Sequence, residues 1–160
     1  MANKAQPSGL KPYEHCIRAR KYVAGSTIYP GDSVALAADG QVDSSVTVPL
    51  LGAALNYATV GQDVMIADHP NQIFIVEADE ALAAADVGKN FDLTLGTAST
   101  TYKMSRAFLD GSTPSDTATI AVKLLGIAET IGNTVAVDDV DCIVMINNHT
   151  LSGGTGSVGL

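Results

Sequence analysis

The chain reads as a mainly β protein: a small β-barrel or β-sandwich with one short helix, an extended N-terminal arm and a Gly-rich C-terminal tail. Three observations predict this. Turn signals separate short apolar runs at a spacing of roughly ten residues, the rhythm of a sandwich or barrel. The apolar content is aliphatic, with 46% hydrophobic residues but only 5% aromatic and no Trp. Only one segment carries a helical composition. At 160 residues the chain is one domain, long enough to bury a core without a metal or disulfide staple.

The elements follow in order. Met1–Pro12 contains Gln6-Pro7-Ser8-Gly9 and Lys11-Pro12 and no periodicity, which predicts an extended arm. From Tyr13 the residues alternate as in a strand, with Cys16, Arg18, Arg20 and Tyr22 on one face. Tyr29-Pro30-Gly31-Asp32 carries the Pro and Gly of a type II turn, and Asp39-Gly40 is a hairpin signal between Ser33–Ala38 and the strand starting at Gln41-Val42. Strands are expected within Pro49–Ala58, Gln62–Ala67, Gln72–Ala78, Phe91–Leu95, Lys103–Leu109, Thr117–Ala128 and Asp141–Asn147, eight to ten in all. Glu80–Val87 is the helical segment, with Asp79 as its N-cap and Gly88 as its stop. Leu50-Leu51-Gly52-Ala53-Ala54 and Leu124-Leu125-Gly126-Ile127-Ala128 share a Leu-Leu-Gly-x-Ala core, and a Gly inside a strand marks a bulge or tight bend. The expected division is an arm over 1–12, a body over 13–151 and a flexible tail over 152–160. The expected core is Val34, Leu36, Leu51, Ile73, Ile75, Val122, Leu124, Ile143 and Met145.

Charge and cysteine usage narrow the function. Charged residues make up 16% of the chain, against about 25% in a typical soluble domain, as expected of a surface that other protein covers. Residues 1–21 hold five of the nine basic side chains and one acid, Glu14, so this segment carries +4 and the rest −12. An acidic body with few aromatic platforms argues against nucleic acid. No run of about 18 apolar residues offers a membrane span. Met1-Ala2-Asn3-Lys4 leads into polar residues rather than a secretory apolar run, so cytoplasmic synthesis with Cys16 and Cys142 as free thiols is expected.

Catalytic and metal motifs are missing from the sequence, so neither an enzyme nor a cofactor or metal is expected. There is no GxSxG, HExxH, P-loop or GxGxxG pattern. His15, His69 and His149 lie far apart and read as hydrogen-bonded strand-end residues, with a spatial His/Asp hydrolase as the enzymatic alternative. Glu77-Ala78-Asp79-Glu80 and Asp138-Asp139-Val140-Asp141 lack the spacing of a calcium loop.

Five segments carry a family resemblance: Tyr29-Pro30-Gly31-Asp32-Ser33-Val34, Leu51-Gly52-Ala53-Ala54, His69-Pro70-Asn71-Gln72-Ile73-Phe74-Ile75-Val76-Glu77-Ala78, Asp86-Val87-Gly88-Lys89-Asn90 and Ile146-Asn147-Asn148-His149. Spanning Tyr29 to His149, they resemble the capsid decoration (cement, or head-stabilising) proteins of tailed bacteriophages. The resemblance implies a β-rich structural virion protein on the outer capsid surface. It implies major capsid subunits and other copies of itself, as a homotrimer, as partners, with no cofactor, nucleic acid or membrane. A receptor- or ligand-binding β module of a phage fibre or spike is the alternative.

The arm is the expected contact element. Lys4, Leu10, Lys11, Pro12, Tyr13, Arg18, Arg20 and Lys21 are expected to lie along an acidic surface of the capsid protein or of a neighbouring copy. Arg18 and Arg20 would grip carboxylates, and Leu10, Pro12 and Tyr13 would supply apolar contact.

Overall fold

The computed structural model describes residues 3, 6–153 and 156–160. Twelve strands run in chain order: β1 (Lys11–Pro12), β2 (Ala19–Val23), β3 (Ser33–Leu36), β4 (Val42–Ser44), β5 (Gly52–Ala54), β6 (Asp63–Ala67), β7 (Ile73–Glu77), β8 (Asn90–Phe91), β9 (Leu93–Thr94), β10 (Phe108–Leu109), β11 (Val122–Ile127) and β12 (Asp141–Ile146). The first sheet has the order β1-β7-β12-β11-β8, the second β2-β6-β5-β3-β4, and β9 pairs with β10 as a separate ribbon. All the strand pairs are antiparallel. The protein is therefore mainly β and sandwich-like. The second sheet curls until Ala24, just past β2, bridges to Val42 in β4, without closing a barrel.

The sheets share two cores. Phe74 and Val76 of β7, Cys142, Val144 and Ile146 of β12, and Val122 and Leu124 of β11 pack inward with Phe91, Leu93 and Leu109 against Leu50, Ala53 and Ala67. Inside the curl of the second sheet, Ile28, Val34, Val42, Leu51, Val64 and Ile66 form the smaller core. Strand β5 is buried on both faces because Ala53 looks into the first core and Ala54 into the second. A Cβ on Gly52 would meet the Ala67 carbonyl oxygen at 2.1 Å, so only glycine permits this approach. Its sequence echo, Gly126, lies where the β11–β12 register slips between Leu124 and Gly126, the expected bulge.

Both turn signals form. Gly31 has φ 96° and the Asp32 amide donates to the Tyr29 carbonyl at 3.0 Å, while Gly40 has φ 83° and the Ala37 amide donates to Gln41 at 2.9 Å. The helical segment does not form as expected. Only one 3-10 turn, Ala84–Asp86, appears, and Asp79 does not cap it but accepts from the Gly111 amide at 2.9 Å. A segment of eight residues has little cooperativity, and this one is drawn immediately into the sheet: the Gly88 amide donates to Leu124 and the Leu124 amide to Lys89.

Four of the nine expected core residues are buried. Val34, Leu51, Val122 and Leu124 are buried, but Leu36 is 40% exposed. Ile73, Ile75, Ile143 and Met145 lie on the opposite, outer face of the first sheet and are only half-buried. In a strand that is apolar on both faces, composition does not say which parity points inward.

Candidate interaction surface

The basic segment folds onto its own chain. Leu10 is 1% exposed and belongs to the larger core, where its burial contributes about 1.5–3 kcal/mol. It therefore packs into the chain's own core instead of lying on a loose arm. Lys11 and Pro12 form the edge strand β1 against Ile75 and Phe74, and the Tyr13 amide donates to the Ile73 carbonyl at 2.9 Å. Further out, the Gln6 amide donates to both carboxylate oxygens of Glu77, at 3.1 and 2.9 Å. Lys4 lies outside the described residues. The other end of the chain also docks: the Ser157 amide donates to Asn147 Oδ1, Gly159 to Asp116 and Leu160 to Gly88. Residues 156–160 are thus bonded to the body rather than free of it.

Arg18 and Arg20 share one face of their segment, as alternation requires, and their carboxylate belongs to the same chain. Arg18 Nε donates to Asp68 Oδ1 at 2.8 Å, Arg20 Nε to Oδ2 at 2.6 Å, and the Tyr22 hydroxyl to Oδ2 at 2.6 Å. Asp68 is fully buried. Burial pushes its carboxyl up, but the Tyr22, Arg18 and Arg20 hydrogen bonds more than offset this, and it titrates below its ordinary range. The stability it contributes is complete above about pH 4 and lost as pH falls further. Lys21 pairs with Asp63 at 3.1 Å, both exposed, a contact worth little. Arg18, Arg20 and Lys21 therefore staple β2 to β6 and the chain after it.

Two of the histidines hold turns. His149 Nδ1 accepts the Leu151 amide at 3.0 Å and His69 Nδ1 the Asn71 amide at 3.1 Å, each ordering the turn two residues on. His149 is 1% exposed; burial lowers its pKa against the pull of Asp68, so protonation weakens the fold as pH drops below about 6.5. Among the described residues no group of three or more His, Cys, Asp or Glu could hold a metal. Cys142 is buried and its thiol pushed up to about 12 by that burial, while Cys16 is exposed; both are free.

The fold covers the outer face of the first sheet only in part. Ile73 stands opposite Met145 and Ile75 opposite Ile143, a two-by-two apolar block. Lys11 sits beside Ile75 on one side and Lys123 beside Met145 on the other. Exposed Leu125 and Ile17 extend the apolar surface from the bulge and from the segment after β1. Glu77 and Asp141 close one end as a direct cross-strand pair. Both carboxyls are raised, each first by burial; Asp139 and Asp141 add to the shift of Glu77, and Lys11 opposes that of Asp141. This surface is hidden in the sequence, where all four block residues read as core. No helix among the described residues is long and apolar enough to cross a membrane. No protein-family model matches the chain, and no curated protein is similar to it in sequence.

Proposed function

We propose that this is a structural virion protein that binds the outer face of a tailed-phage capsid and stabilises contacts between major capsid subunits. The observation that carries the reading is the outward-facing, half-buried Ile73–Ile75–Ile143–Met145 block on a five-stranded sheet. A flat apolar centre with a charged rim is the anatomy of a protein–protein contact. The low charge content and the resemblance over Tyr29–His149 support the same reading. The docked basic segment shifts the contact from a loose arm to the sheet face, with Lys11, Tyr13 and Lys123 at its margin. Repetition over a closed shell would turn a modest contact per copy into stable retention through avidity, and a homotrimer would already join three such faces.

Sedimentation of the purified protein with capsids lacking it tests the reading. Saturable co-sedimentation is expected, with electron microscopy showing knobs in a regular lattice over the shell. Binding confined to tail or vertex features would place the protein in a fibre or spike instead, and absence of binding would overturn the proposal.

A further inference from the structure

We infer that a second site on this protein, meeting the sheet face only at Lys11, docks an extended acidic segment of a partner protein through one large apolar side chain. The site is a groove of about 310 Å³ at the free edge of β1. Leu10 and Pro12 form one wall, Ala54 and Leu55 the other, and Tyr102 and Met104 roof it. Its walls are mostly apolar, and three of these side chains remain open to solvent: Tyr102 at 75%, Leu55 at 37% and Met104 at 37%.

The roof is built to present those side chains. Ser99 and Met104 exchange backbone hydrogen bonds at 2.9 and 3.2 Å, and the Ser99 hydroxyl accepts the Tyr102 amide at 3.2 Å. Lys103 completes the tip in the left-handed region at φ 50°, a conformation that costs a residue with a side chain and persists where the surroundings enforce it. An exposed tyrosine over an apolar slot, on a backbone held by its own turn, gives a binding partner large contact area with few rotatable bonds to order.

Charge selects the partner. In a chain of net charge −8, two of the nine cations, Lys11 and Lys103, border this groove. Among the described residues neither forms an ion pair within 4.0 Å. Lys103 Nζ instead stands 4.7 Å from the centre of the Tyr57 ring, which leaves its charge available to an incoming carboxylate. The volume takes one or two side chains rather than a helix. Pro12 offers no amide to extend the sheet, so the occupant docks by its side chain and not as an added strand. An acidic stretch around one Phe or Leu meets all of these conditions.

The inference goes beyond capsid binding, and its test needs no capsid. Amide NMR of the isotope-labelled full chain is followed during titration with capped octapeptides carrying one central Phe in an acidic, a neutral or a basic background. The acidic peptide is expected to move the Leu55, Lys103 and Met104 signals most, the basic one not at all. Lys103→Glu should weaken the acidic peptide about tenfold and admit the basic one, and Tyr102→Ala, at an exposed tip, should weaken the acidic and neutral peptides alike. The inference is overturned if these signals ignore the acidic peptide, or if all three backgrounds bind alike. Movement of the same signals with protein concentration alone would also overturn it, because the groove would then belong to a second copy.

Discussion

The two faces of the β7–β12–β11 sheet are made of the same kinds of residue, yet one is sealed and the other open. Inward, Phe74, Val76, Cys142, Val144, Val122 and Leu124 are all buried and packed against the second sheet and the β9–β10 ribbon. Outward, Ile73, Ile75, Ile143 and Met145 are no less apolar but are only half-buried. An isolated domain with one solvated face alternates apolar with polar residues. A sheet that stays apolar on its outer side suits a second layer, which is the role the proposed docking face would give it.

The difference between the faces should appear most strongly in stability. Phe74→Ala removes a fully buried ring and should cost about 3–5 kcal/mol. Ile75→Thr, one residue along and facing out, keeps the β-branch and should cost under about 1 kcal/mol. Urea denaturation of the two variants checks this, and equal losses would mean the outer face is structural after all. Asp68→Asn comes next. It leaves two guanidiniums and a phenol around an uncharged amide, and because both arginines are part-exposed the loss should be about 2 kcal/mol. That loss should shrink as pH falls below about 4, because the unfolded chain's carboxyl takes up a proton there while the native one, held down by its partners, does so only at lower pH.

Much of this was legible in the sequence, for identifiable reasons. Gly31 and Gly40 sit where the backbone requires positive φ, so Pro30-Gly31 and Asp39-Gly40 marked their turns. The runs at Gln72–Ala78 and Asp141–Asn147 were visible as strands. Their parity was not, because Ile-Phe-Ile-Val and Cys-Ile-Val-Met-Ile are apolar at both even and odd positions. The partner of Arg18 and Arg20 was out of reach of pattern reading, lying 50 and 48 residues away. The burial of Leu10 was equally hidden, since a single anchor in an aperiodic segment has no pattern. The Ala-rich Glu80–Val87 misled through propensity that the adjacent sheet overrode.

The smallest effect concerns the charged end of the open face. Glu77 and Asp141 stand directly across from each other with raised pKa values, so ionising them works against folding. A raised carboxyl favours the folded state at low pH and loses that advantage as pH rises through its folded value. Asp141→Asn should therefore stabilise the protein at pH 7 by up to about 1 kcal/mol, with the gain vanishing near pH 4. Thermal melts at the two pH values read this directly, and a variant less stable than the parent at pH 7 would refute the repulsion.

The most direct measurement compares capsid binding by the parent chain and by the double variant Ile75→Thr, Ile143→Thr, both first shown to melt at closely similar temperatures. If the open sheet face is the docking surface, the parent sediments with capsids and the double variant stays in the supernatant. If both sediment equally, the apolar block has no part in binding and the surface lies elsewhere on the molecule.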